Sequence, residues 1–269
     1  MSNETLTDYG KLLAARKFDP NKPPPAEDVI LTIGEKTVGT AQNYVVYSGQ
    51  AKAGKSTFLS ATIASAFLPR SMNVFGIKIN MPPGRNKIGY FDTESSAHDF
   101  WRQMIRIRNL AHLDTFPAGL DAYNTRQDGP GTIRRQIWAY CQQNPDCGIL
   151  IVDGFLDLCM DYNDPLETRR LTNWMKALTA KFNLLLIGVL HLSKGLNETL
   201  GHLGSNTDRW AQSTLLVEKN KEARQFVLKA KLMRSDEDFE PIAISKSNEN
   251  YYQVPYEQTI QQQFKAKNK

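Results

Sequence analysis

The apolar blocks along this chain alternate with amphipathic stretches in the way an α/β fold requires. Tyr44-Val45-Val46-Tyr47 is a short β-prone run, and residues 57–68 hold no Pro or Gly and read as a helix. Residues 73–79 and 87–91 flank Met81-Pro82-Pro83-Gly84-Arg85-Asn86 and read as the arms of a hairpin. Helices are predicted near 96–110, 132–143 and 165–182, the first two joined by a polar link. Buried strands are predicted over 148–152, which closes on Asp153, and over 184–190, which runs into a glycine-containing loop. From Thr214 the pattern changes to short strands at 214–218, 225–232, 241–245 and 251–254. The expected fold is therefore α/β, a mostly parallel twisted sheet flanked by helices, with an antiparallel C-terminal extension.

Residues 1–28 divide into an amphipathic stretch over 9–18 and the linker Asp19-Pro20-Asn21-Lys22-Pro23-Pro24-Pro25, which cannot be helical. This reads as a helical arm, which either docks on a neighbouring subunit or packs on its own domain. One body follows over 29–256, then a polar, basic tail over 257–269. No internal repeat is visible.

With 269 residues and 41% hydrophobic content, the chain can bury one sizeable core but has little room for a second complete domain. A formal charge of +5 and a pI near 9.0 are compatible with a nucleic-acid partner without demanding one. Cys141, Cys147 and Cys159 lack the spacing of a disulfide framework or a zinc site, which suits a reducing cytosol. The N-terminus has neither a basic nor an apolar leader region, and no segment approaches eighteen consecutive apolar residues. The expectation is a soluble cytoplasmic protein with no membrane partner.

The sharpest chemistry is Gly49-Gln50-Ala51-Lys52-Ala53-Gly54-Lys55-Ser56, followed by Thr57, a complete G-x-x-x-x-G-K-[ST] phosphate loop between a predicted strand and a predicted helix. Its glycines let the backbone curl so that N–H groups face phosphate oxygens, and the helix terminus adds partial positive charge. Lys55 is placed to reach the β- and γ-phosphates of ATP, and the Ser56 hydroxyl to coordinate Mg²⁺.

A metal-bound triphosphate also calls for a carboxylate at the end of a neighbouring buried strand, and Asp153 fits, its alternative being a cap after the strand. Hydrolysis needs a group that activates or orients water. Glu94, in Gly89-Tyr90-Phe91-Asp92-Thr93-Glu94, is the first candidate, Asp92 competes with it, and the remaining reading for both is solvated loop charge. His191 follows the strand 184–190, where it serves either as a sensor of the γ-phosphate or as a structural histidine.

Together the phosphate loop, Asp92-Thr93-Glu94, 149–154, His191-Leu192-Ser193-Lys194-Gly195 and Gly204-Ser205 resemble the RecA-like ATPases. Within them the set is most similar to the hexameric RepA-type helicases and ATPases of plasmids and mobile elements, over roughly residues 29–245. The resemblance implies that Lys55 and Ser56 bind phosphates and Mg²⁺, Glu94 activates water, Asp153 supports the metal and His191 senses the γ-phosphate. It also implies active sites between subunits of a homo-oligomer, a hexameric ring among the expected forms, with Arg209, Lys231 and Arg234 as the cations completing a neighbour's site. Lys231-Leu232-Met233-Arg234 has the spacing K-x-x-R where the family pattern is K-x-R.

Relatives of this kind thread nucleic acid past two loops, here 155–168 and 194–208. The first carries Asp157, Asp161, Asp164 and Glu167, which disfavours a phosphate grip, and no aromatic-basic alternation along the chain marks a stacking platform for single strands. The expected function is ATP hydrolysis coupled to unwinding or remodelling of DNA, single-stranded DNA being the partner, in replication, mobilisation or recombination of a mobile element. The alternative is a nucleotide-dependent regulatory or assembly ATPase without motor activity. A small-molecule kinase lacks a lid-like arginine cluster here, and no catalytic position is lost as a dead binding module would require.

Overall fold

The computed structural model describes residues 3–192, 201–247 and 250–254. Helix α1, Asn3–Ala15, leads into a stretch without helix or strand that ends at Val29. Strands β1 (Val29–Ile33), β2 (Lys36–Thr40) and β3 (Tyr44–Gly49) come next, then helix α2 (Lys55–Ser65), β4 (Ile77–Ile79), β5 (Lys87–Asp92) and α3 (Ala97–Leu110). After β6 (Leu120–Asn124) come α4 (Pro130–Gln143), β7 (Cys147–Asp153), a 3-10 turn over Phe155–Leu158, α5 (Pro165–Phe182) and β8 (Leu185–His191). Helix α6 (Gly201–Trp210) precedes β9 (Ser213–Asn220), β10 (Gln225–Met233), β11 (Ile242–Ser247) and β12 (Asn250–Val254).

Among these residues the main sheet has the order β12-β11-β10-β9-β3-β8-β7-β5-β6. From β9 to β6 every pairing is parallel, and β10, β11 and β12 continue from β9 in antiparallel fashion. The mixed α/β architecture and the antiparallel extension thus match the sequence pattern.

Strand β3 shows why its sequence is apolar throughout. Val45 and Tyr47 join the core under Phe58, Ile63 and Ile107, while Tyr44 and Val46 join the opposite core with Ile137, Leu171 and Met175. A strand covered on both faces has no solvent side to mark with polar residues. Leu185, Leu186 and Ile187 of β8 are likewise fully buried, each contributing about 1.5–3 kcal/mol.

The expected hairpin over 73–91 does not form. Ile77–Ile79 pairs antiparallel with β1, Ile79 facing Leu31, in a small sheet β2-β1-β4, whereas Lys87–Asp92 lies between β7 and β6. Pro82-Pro83-Gly84 therefore carries the chain from one sheet to the other, and the N–H groups of Asn86 and Lys87 are received by Asp146 O at 3.1 and 3.2 Å. The tight turn in this region is Phe75-Gly76, between the bridged residues Val74 and Ile77.

Two elements occupy segments expected to be irregular: the polar link contains β6 at the sheet edge, and α6 begins within the second channel segment. Strands β1 and β2 fill 29–40, where the apolar pattern gives no element. Helix α2 begins at Lys55, two residues earlier than expected, so Lys55 and Ser56 belong to its first turn.

Candidate active site

Parallel strands place their C-terminal ends at one edge of a sheet, where ligands of open α/β folds bind. Register sets the arrangement here. Gly49 at the end of β3 faces His191 of β8, and Asp92 of β5 faces Asp153 of β7. Because β8 lies between β3 and β7, His191 stands between the phosphate loop and the carboxylates.

The loop turns into α2 at Gly54, which is left-handed at φ 101°. A Cβ there would also lie 2.5 Å from the ring of Phe226, so both backbone and space demand glycine. Ala53 N–H donates to Gln50 O at 3.1 Å, closing the curl. The first N–H groups of α2 lack intrahelical partners and carry the positive end of the helix dipole at the loop.

Lys55 is buried and folds back over its own loop. Its ammonium donates to Gly49 O and Gln50 O, both at 2.9 Å, and to His191 Nδ1 at 3.2 Å. An ammonium offers only hydrogens, so Nδ1 accepts and the ring proton sits on Nε2. That N–H donates to Glu94 Oε1 at 3.1 Å. Burial lowers the affinity of Lys55 for its proton, while Glu94 and Asp153 oppose the shift.

The two carboxylates of the D-T-E segment differ in setting. Asp92 is fully buried and its Oδ1 accepts from the N–H groups of Glu94 at 3.0 Å and Ser95 at 2.7 Å. It shapes the turn that presents Glu94, whose side chain is 42% exposed and reaches His191. Tyr90 Oη lies 3.2 Å from both Asp92 Oδ2 and Asp153 Oδ2. Burial, then Asp92 and Glu94, push the Asp153 carboxyl up to about 7, against Tyr90 and Lys55.

Chain direction changes sharply at Gly154, φ 121°, where a Cβ would collide with Thr93 Oγ1. That hydroxyl sits 2.8 Å from Asp153 O and 2.6 Å from Asp157 Oδ2, tying the ends of β5 and β7 together.

No group of three or more His, Cys, Asp or Glu among the described residues converges as a metal site. A divalent cation here would take most of its shell from phosphate oxygens and water, the habit of Mg²⁺ rather than of a protein-caged metal. Asp153 fits that role, since its charge is opposed by two neighbouring carboxylates and a cation would relieve it. Ser56, half-buried in the first turn of α2, is the hydroxyl on the loop side.

Lys231 and Arg234 do not meet the phosphate loop of their own chain. Leu232 faces Thr214, which faces Val46, so this part of β10 lies back along the strands from Gly49. Arg234 N–H donates to Gln212 O at 3.1 Å, beside Tyr44 at the far end of β3. Lys231 Nζ donates to Asp208 Oδ2 at 2.9 Å, and Arg209 is in the last turn of α6.

Two acidic residues of 155–168 act locally, Asp164 capping α5 through Leu166 N–H at 2.8 Å and Glu167 accepting from Met160 and Asp161 N–H, while Asp157 accepts from Thr93 across the strand ends. Of the H-x-S-K-G segment, Ser193, Lys194 and Gly195 lie outside the described residues, as do 194–200 of the second channel segment and the tail 257–269.

Sequence reasoning missed Phe226 and Lys219. The β9–β10 hairpin brings Phe226 against Gly54, with Lys219 Nζ 5.4 Å from its ring centre. Only the strand order, which puts β9 beside β3, reveals that neighbourhood. No helix among the described residues is long and apolar enough to cross a membrane. A scan against protein-family models matches none, and a search of curated proteins returns no significant match.

Proposed function

We propose that this chain is a RecA-like P-loop ATPase that binds ATP with Mg²⁺ and, as a homo-oligomer, couples hydrolysis to unwinding or remodelling of DNA. The observation that carries this reading is the bonded series Lys55, His191, Glu94, which links the phosphate loop to a carboxylate across three strand ends. A Gly-rich turn of purely structural use has no need of such a link.

All three hydrogens of Lys55 are engaged, two on loop carbonyls and one on His191. A γ-phosphate draws the ammonium away from these neutral acceptors, because charge-assisted hydrogen bonds are about twice as strong. When Lys55 leaves Nδ1, the imidazole can turn with its Nε2–H still on Glu94, and the carboxylate is oriented to take a proton from water. His191 thereby reports phosphate occupancy to the group that starts hydrolysis. Ser56 and Asp153 would hold Mg²⁺, which supplies charge neutralisation on the β- and γ-phosphates when bound.

A second reading, a regulatory or assembly ATPase without motor activity, draws support from 155–168, whose acids bond the protein's own groups and offer DNA no cationic grip. Hydrolysis assayed with and without single-stranded DNA separates the two. Stimulation supports the motor, and indifference to DNA supports the regulator.

A further inference from the structure

A groove of about 880 Å³ runs along the outer side of α3, and none of its lining residues belongs to the phosphate loop or its carboxylates. Three segments distant in sequence meet there: the turn after α2, α3 itself, and β11 with β12. Its aromatic members are Trp101, 60% exposed, with Phe75 and Tyr251. Its fixed cations are Arg106, Lys246 and Arg102, the last paired with Asp99 one turn earlier on α3, and no acidic side chain is among the lining residues described.

Two details show that cations and rings work as a set. The guanidinium of Arg106 lies 5.6 Å from the Tyr251 ring centre, and Lys246 Nζ lies 5.9 Å from the same centre. Phe75 adopts φ 55°, a left-handed conformation that bulky residues rarely enter, in a tight turn where Asn is the favoured residue. Its ring packs partly against the main core and forms one edge of the groove.

We propose that this groove binds single-stranded nucleic acid, the bases stacking on Trp101 and its aromatic neighbours and the phosphates meeting Arg102, Arg106 and Lys246. One exposed ring, flanked by the half-buried Phe75 and Tyr251 and by cations, suits a sequence-tolerant single-strand site. The inference deepens the DNA-coupled ATPase reading and rests on it for the choice of ligand. The missing aromatic-basic alternation along the chain is explained as well, since the platform is assembled from three segments rather than from one.

The test is fluorescence anisotropy of a labelled oligodeoxythymidylate against the full chain without nucleotide, over a range of salt. Trp101→Ala weakens binding about tenfold, while Trp101→Phe restores most of it. Arg106→Ala and Lys246→Ala each lower the slope of log affinity against log salt by about 0.7. Unfolding curves confirm that the variants fold, and Lys22→Ala, which removes an exposed cation that does not line the groove, binds like the wild type. Unchanged affinity in the groove variants, or a wild type that does not bind, overturns the proposal. So does displacement by polyglutamate as effective as by DNA, which would assign the groove to an acidic protein segment. A shift of oligomer size in the variants, read by sedimentation, would assign it to a second copy and also overturn it. ATP hydrolysis measured in parallel keeps the two readings apart. Groove binding without hydrolysis contradicts the ATPase, and DNA-stimulated hydrolysis with unaltered binding in the groove variants contradicts the groove.

Discussion

Lys55 Nζ lies 3.2 Å from His191 Nδ1, and the other ring nitrogen of that histidine lies 3.1 Å from Glu94. The ring therefore links the lysine of the loop to Glu94. His191→Ala is expected to lower kcat for ATP by about 10- to 100-fold, the range for a group that orients another. Nucleotide affinity should hold or tighten, since Lys55 loses a competing acceptor. Titration with a fluorescent ATP analogue beside steady-state kinetics makes the distinction, and a fall in affinity equal to the fall in kcat would contradict it.

Glu94 and Asp92 separate by the same logic. If Glu94 is the proton acceptor proposed above, Glu94→Gln should cost about 10²- to 10⁴-fold in kcat with ATP binding and stability retained. Asp92→Ala strips the acceptor from two N–H groups of the turn and should cost about 1–3 kcal/mol of folding stability, read by denaturant unfolding.

Asp153 trades stability for charge. Its carboxyl, pushed from 3.8 up to about 7, holds its proton more tightly folded than unfolded, so ionisation costs stability. The cost sets in as pH rises past 3.8, is complete above about 7, and is absent below 3.8. With chelator present and no nucleotide, Asp153→Asn should be more stable than the wild type by about 2 kcal/mol at pH 8, while Tyr90 still has an oxygen to donate to. The difference should vanish near pH 4, and the same variant should lose Mg²⁺-dependent activity. Thermal unfolding across pH checks the first part, and destabilisation at pH 8 would contradict it.

What the sequence revealed, and what it hid, follows from packing. Strands β3, β7 and β8 were legible because burial on both faces makes them continuous apolar runs, and α5 because Asp164 and Pro165 mark its start in the chain. β6, Leu-Asp-Ala-Tyr-Asn, is a five-residue edge strand in which only Leu120 is buried and Tyr123 and Asn124 are exposed, so it read as a link. α6 contains Gly201, Gly204, Ser205 and Asn206, all poor helix formers, and is held through buried Leu203 and Thr207 instead. The 73–91 hairpin failed because strand partners are chosen by the tertiary fold, and Ile77–Ile79 found β1 rather than its neighbour in sequence. In the site, Asp153 and His191 could be read from strand ends, whereas Phe226 needed the strand order.

Arg234 lies at the far end of the sheet from its own phosphate loop, which suits a cation that acts on a neighbour. Lys55→Ala and Arg234→Ala should each be nearly inert alone, since a trans cation can be worth about 10³- to 10⁵-fold. Mixing the two variants should recover activity, because mixed interfaces then include sites with both groups intact. No recovery, with Arg234→Ala fully active alone, would remove Arg234 from the reaction.

The most direct measurement is ATP hydrolysis by the purified chain at micromolar concentration with Mg²⁺, with and without single-stranded DNA, using Lys55→Ala as the blank. The account predicts phosphate release that single-stranded DNA stimulates and that the Lys55→Ala variant lacks. Equal phosphate release by both proteins, or none by the wild type at concentrations where it assembles, would contradict it.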